Sequence, residues 1–127
     1  MQRASKLLEI EALAENLMKR HKNLSLLKLK ILFFASLYEN LSVSMIIDKL
    51  GIQKSNFALM SAELEREGLV EIGAAEIDRR CRVLHLTEKG KLTLEQCQKE
   101  IDGILGATNP EVDRALDVLA NYLNKKV

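Results

Sequence analysis

The sequence predicts a mainly α-helical chain that carries one small β-hairpin. Apolar residues recur every three or four positions from Leu7 to Leu64 and again from Leu94 to Leu123. Between Leu69 and Leu86 the spacing drops to two, the period of a strand. Aromatic residues make up only 4% of the chain, which points towards helix-rich packing. With 127 residues, 47% apolar and 29% charged, the composition suits a single folded domain over 1–127, too short for two cores and a linker. Nineteen basic against eighteen acidic residues leave a formal charge of +1, so any polyanionic partner must be argued locally. No run of about 18 apolar residues exists, and the opening MQRASKLLEIEALAENL is broken by acidic residues, so neither a membrane span nor secretion is expected. Two cysteines, Cys81 and Cys97, are too few for a disulfide framework and suit a reducing, cytoplasmic setting.

Each element has its own signal. Leu7, Ile10, Leu13 or Ala14, and Leu17, interleaved with Glu9, Glu11, Glu15 and Lys19, predict a first amphipathic helix from Arg3 to His21. A second helix begins near Leu24 or Ser25 and places Leu26, Leu29, Phe33 and Leu37 on one stripe, with Leu27, Ile31, Phe34 and Tyr38 beside it. A face that wide calls for burial on two sides. Ser42 stands at an N-cap position ahead of Met45, Ile46, Ile47 and Leu50, and Gly51 ends that short helix. Phe57, Met60 and Leu64 continue as a fourth helix of about four turns up to Gly68. Two short helices joined tightly at Gly51 suggest a helix-turn-helix. Leu69 to Ile72 and Cys81 to Leu86 read as the two strands of a hairpin. Its connection, Gly73 to Arg80, holds Glu76, Asp78, Arg79 and Arg80 and should project into solvent. Thr87 caps a long helix with Leu94, Cys97, Ile101, Ile104 and Leu105 on its apolar stripe. The last helix opens at Asn109-Pro110 and carries Val112, Leu116, Leu119 and Leu123.

This order is that of a winged helix-turn-helix flanked by further helices, in which the helix after the turn reads the major groove of double-stranded DNA and the hairpin reaches the flanking backbone or minor groove. Its leading turn, Gln53, Lys54, Ser55 and Asn56, has the chemistry for this, since amides and hydroxyls contact base edges and Lys54 reaches phosphate. The segment LSVSMIIDKLGIQKSNFALMSAELEREGLVEIGAAEIDRRCRVLHLTEKGKL, residues 41–92, resembles the DNA-binding domain of the MarR family of bacterial transcriptional regulators. The matching features are LGI, LEREGLV, the Asp78-Arg79-Arg80 wing and Leu86-Thr87-Glu88-Lys89-Gly90 opening the next helix. The resemblance implies a homodimer on a pseudo-palindromic operator, with residues 42–86 as the winged module and residues 1–41 and 87–127 as dimerisation helices. Leu7, Ile10, Leu17, Ile104, Val112, Leu116, Leu119 and Leu123 are the candidate dimer contacts, because both flanks carry stripes that need cover. In the wing it implies that Asp78 braces Arg80 as Arg80 enters the minor groove, with Arg79 and Arg82 on the backbone. It also implies a small-molecule effector between dimer helices and winged domain, where Phe33, Phe34 and Tyr38 are candidates for the lining. The sequence departs from the family in carrying Ala58 and Leu59 where Thr and Arg are usual, and Ile72 and Gly73 where basic residues are frequent. Leu59, one turn after Ser55 on the outward side, is therefore a candidate reader through apolar contact, for example with a thymine methyl.

Charge sorted by region sharpens the question. Residues 53–91 hold seven basic and seven acidic side chains, so the reading segment has no net charge, although phosphate neutralisation supplies most sequence-independent affinity. Arg79, Arg80 and Arg82 gather at the wing, while Glu63, Glu65 and Glu67 lie at the far end of the fourth helix. The competing reading is a winged-helix module for protein interaction with weak or lost DNA binding. Catalysis has no acid, base and nucleophile set to stand on. A metal site recruiting Cys81, His85 and Cys97 lacks paired spacing, and a partly buried strand histidine with two small apolar fillers is favoured over it. No cofactor is expected. A thiol switch has one argument, Cys81 lying between Arg80 and Arg82.

Overall fold

Four side-chain caps decide where helices begin. In the computed structural model, which describes residues 2–38, 40–74 and 80–127, the chain runs α1 (Arg3–Met18), α2 (Leu26–Leu37), α3 (Val43–Leu50), α4 (Lys54–Arg66), β1 (Val70–Ala74), β2 (Arg82–Leu86), α5 (Glu88–Leu105) and α6 (Pro110–Asn124). Ser25 accepts from the Lys28 N–H, Ser42 from Met45, Thr87 from Gly90, and Asn109 from both Glu111 and Val112. Each uses a short oxygen to satisfy donors that a first helical turn leaves unpaired. Gly51 ends α3 at φ 65°, a left-handed conformation that a side chain would strain, and its N–H returns to the Ile47 and Asp48 carbonyls.

The two strands pair antiparallel, Val70 opposite Leu86 through Ala74 opposite Arg82. A single bridge from Ser42 to Val83 ties the start of α3 to β2, so the helix-turn-helix and the wing share a hydrogen-bonded seam. Helix α2 packs against α3, α4, β2 and α5. Its Ile31 and Leu32 are fully buried with Ile46, Leu64, Val70, Val83 and Cys97. The core thus lies in the middle of the chain, while α1 and α6 bury no residue at all.

Several expectations shift. The first helix ends at Met18 and not at His21, because the backbone turns at Lys19 and Arg20, and His21 is buried instead of extending the helix. The strands sit one or two residues later than their apolar pattern suggests, since Gly73 and Ala74 contribute no alternating side chain yet still pair. His85 and Cys81 are exposed: His85 falls on the outer face of β2, and Cys81 precedes that strand. Phe33 and Leu37 are exposed within the single chain, as are Val112 and Leu116.

The start of α5 is where the hairpin, α4 and the C-terminal helices meet. Thr87 donates its hydroxyl to the Gly68 carbonyl at 2.6 Å, its N–H reaches Leu69 O at 3.1 Å, and Lys89 Nζ donates to Glu67 O at 2.8 Å. Gly90 lies so close to the Leu69 backbone that a Cβ there would collide with the carbonyl. Neither group can yield, because Leu69 is buried and leads into β1. Gly90→Ala should therefore cost about 1–3 kcal/mol or more, read as a lower urea midpoint at unchanged slope, even though alanine is the better helix former. A midpoint equal to the parent's would show that the junction tolerates a side chain.

Candidate nucleic-acid interface

Helix α4 separates its faces cleanly. Phe57, Ser61 and Leu64 are buried, and Met60 is half-buried beside them. Gln53, Lys54, Ser55, Asn56, Ala58, Leu59, Ala62 and Arg66 are all exposed. Gln53 occupies the N-cap position without making a side-chain cap bond, so its amide is not committed to the helix. At about 100° per residue, Ser55, Leu59, Ala62 and Arg66 form one outward stripe. Arg66 was not among the residues singled out from sequence, although its spacing of seven from Leu59 is the available signal.

A salt bridge holds this helix in place from behind. Lys28 on α2 reaches Glu63 at 3.0 Å and Glu67 at 2.7 Å, and its own side chain is only 14% exposed. Hydrogen bonding to Glu67 and then to Glu63 raises the Lys28 pKa above its ordinary value, against the opposing effect of burial. Two of the three glutamates at the far end of α4 are thus turned towards α2, where they share the single positive charge of Lys28.

On the wing, Arg80, Cys81 and Arg82 are exposed next to β2. Asp78 and Arg79 lie outside the described residues, as does the rest of 75–79. The structure brings Gln53, Lys54, Ser55, Asn56 and Leu59 together on one surface, and Arg80 and Arg82 together on the hairpin.

The flanks present a different surface. Leu7, Ile10, Ile104, Val112 and Leu116 are 36–52% exposed, and Leu17, Leu119 and Leu123 are half-buried. Near the end of α6, Asn124 Oδ1 accepts from Tyr38 Oη at 3.2 Å and from Lys49 Nζ at 3.1 Å, and Lys49 lies 4.9 Å from the centre of the Tyr38 ring. This polar knot binds α6 to α2 and α3 beside a cavity of about 300 Å³ lined by Phe33, Phe34, Leu37, Tyr38 and Leu123. A second, apolar cavity of about 230 Å³ lies among Met18, Leu29, Phe33, Leu94 and Ile101. Cys97 is buried, and desolvation first and Glu100 second push its thiol pKa up, which favours an inert packing role. Among the described residues no three His, Cys, Asp or Glu side chains gather to hold a metal ion. No described helix is long and apolar enough to cross a membrane.

A helix-turn-helix with a polar, outward leading turn, seamed to a hairpin with exposed arginines and framed by two outer helix groups, defines a winged helix-turn-helix protein. The fold is of the MarR type. MarR from E. coli superposes with a TM-score of 0.79 over 97% of this chain and 98% of that one, at 17% identity. The transcriptional regulator BldR from Sulfolobus solfataricus gives 0.69 over 98% and 99%, at 24% identity. CouR from Rhodococcus jostii RHA1, solved bound to p-coumaroyl-CoA, gives 0.71 over 89% and 85%, at 20% identity. No protein-family model matches the chain, and no curated protein does.

The Lys28 bridge makes a pH prediction with a definite sign. A lysine whose pKa is raised by folding stabilises the fold below its unfolded value, about 10.4, and loses that contribution as pH climbs through the higher folded value. Lys28→Met, which keeps the apolar stem, should lower stability by about 1–2 kcal/mol near neutral pH. Urea midpoints across a series rising from about pH 8 should show the gap between parent and variant closing above the ordinary lysine range. A gap that stays constant would mean the bridge contributes nothing.

Proposed function

We propose that this chain is a sequence-specific, DNA-binding transcriptional regulator that acts as a homodimer on a pseudo-palindromic operator. The observation that carries the reading is the exposed polar turn Gln53 to Asn56 on α4, set on a MarR-type fold with Arg80 and Arg82 on the adjoining hairpin. In this reading α4 enters the major groove and Arg80 the minor groove, with Arg79 and Arg82 on phosphates and Asp78 bracing Arg80. Residues 42–86 form the reading module. Residues 1–41 and 87–127 pair two copies through Leu7, Ile10, Leu17, Ile104, Val112, Leu116, Leu119 and Leu123.

The exposed stripes support pairing, because the apolar faces of α1 and α6 are only partly covered within one chain. A small-molecule effector acting on the dimer is supported by the aromatic cavity beside the Tyr38, Lys49 and Asn124 knot. Anything bound there touches both a flanking helix and the first helix of the helix-turn-helix. One observation favours the rival reading of a protein-interaction module: Leu59, 57% exposed, stands in the middle of the reading face.

Titration of DNA from the gene's own upstream region and of generic DNA, at two salt concentrations, tests the proposal directly. Tighter, salt-sensitive binding of the upstream duplex is expected, and absence of binding to either at low salt would defeat it. Arg80→Ala should weaken binding at every sequence and lower the salt slope by about one unit per half-site, while Asn56→Ala should relax sequence preference. For the dimer, sedimentation should show two copies at micromolar concentration, and Leu116→Asp combined with Leu119→Asp should give a monomer or an unfolded chain. A parent that sediments as a monomer would reject the pairing.

A further inference from the structure

We infer that Leu59 reads the 5-methyl group of thymine, and that each half-site carries an A·T pair beneath the middle of α4. The inference rests on the DNA-binding reading and adds the base chemistry that the reading face selects. Leu59 is more than half exposed, and its neighbours on the outward side, Ala58 and Ala62, are too small to shield it. It therefore stands proud of the helix at the position that would lie deepest in a groove. The polar residues lie at the two ends of that face: Lys54, Ser55 and Asn56 in the first turn, and Arg66 in the last.

The groove chemistry then separates the base pairs. Guanine presents two acceptors and is matched by Arg or Lys, but no cation lies on the outward face between Lys54 and Arg66. Adenine is matched by Asn or Gln, which Asn56 and Gln53 supply one turn earlier. Thymine alone offers a methyl group, the one feature of the groove floor that an isolated leucine can bury. The alanines allow the approach that such contact needs. Lys28 ties the far end of the helix to α2 through Glu63 and Glu67. A protein partner fits less well, because one leucine between two alanines is far short of the roughly 800 Å² per side that a stable interface covers.

The test uses the full chain and duplexes enriched from a random-sequence library long enough to hold two half-sites a helical turn apart. Enriched duplexes should share a thymine in each half-site. The same duplex resynthesised with deoxyuridine at that position lacks only the methyl, and the parent should bind it about fourfold more weakly per half-site replaced, the value of one buried methyl group. Leu59→Ala, a change at an exposed helical position that should leave the fold intact, should bind the thymine duplex more weakly by a similar factor and no longer distinguish thymine from uracil. Equal binding of thymine and uracil duplexes by the parent would overturn the inference, as would a Leu59→Ala variant that still discriminates. Enriched duplexes with no shared thymine would also overturn it. Each of these leaves the regulator reading standing, since specific binding is retained. Failure to enrich any duplex, or binding of generic DNA alone, would remove both.

Discussion

The Thr87 hydroxyl makes two hydrogen bonds at once, accepting from the Gly90 N–H at 3.0 Å and donating to the Gly68 carbonyl at 2.6 Å. The first starts α5 and the second secures the turn that leaves α4, so one oxygen fixes the angle between the reading helix and the flank. Lys89 on the Glu67 carbonyl and Gly90 against Leu69 close the same joint from either side. Orphan carbonyls at the end of α4 are thereby satisfied by residues of α5, and not by its own C-cap alone.

Helix α2 supplies the complementary constraint. It buries Leu29, Ile31 and Leu32, packs against α3, α4, β2 and α5, and sends Lys28 to the back of α4. Its far end carries Phe34 stacked on Tyr38, and Tyr38 in turn holds Asn124 of α6. The reading helix is thus held at its rear by Lys28 and at its end by the Thr87 joint, while the flanking helices meet the module at both. What distinguishes α1 and α6 is the absence of a local core: both carry periodic apolar residues, and α6 is capped by Asn109, yet neither buries a residue. Helical propensity alone stabilises such helices little, and the proposed pairing of two copies would supply the cover that the single chain does not.

The parts of this arrangement that sequence disclosed are those written in short-range chemistry. Ser42, Thr87 and Asn109 cap the helices at which they were expected, and Gly51 takes the left-handed turn, because an N-cap or a C-cap depends on a residue and its next few neighbours. Strand limits slipped where Gly73 and Ala74 gave the period nothing to act on. The burial of His21 was not readable, since it sits between Arg20 and Lys22 and faces inward only because the chain turns there. Nor was the pairing of Lys28 with Glu67, which are 39 residues apart and meet only after α2 and α4 pack. Of the reading surface, the polar turn and Leu59 were legible from helical periodicity, while Arg66 was overlooked among the acidic residues that surround it. The roles proposed for these residues at DNA rest on groove chemistry and not on the fold.

That last pairing alters the electrostatic argument more than it alters stability. Counted along the chain, residues 53–91 have no net charge, which argues against a polyanion. In space, two of the seven acids of that segment are bound by a lysine from outside it and turned towards α2. Lys54, Arg66, Arg80 and Arg82 stay exposed. The charge a DNA duplex would meet is therefore more positive than the segment's total, though still small. On the proposed DNA-binding reading, a face with so few cations would gain little from phosphates, and its discrimination would have to come from groups that touch bases. Under that proposal, poverty of charge and an exposed leucine would act together: weak general attraction would make the difference between a matched and an unmatched groove floor a larger share of the total binding.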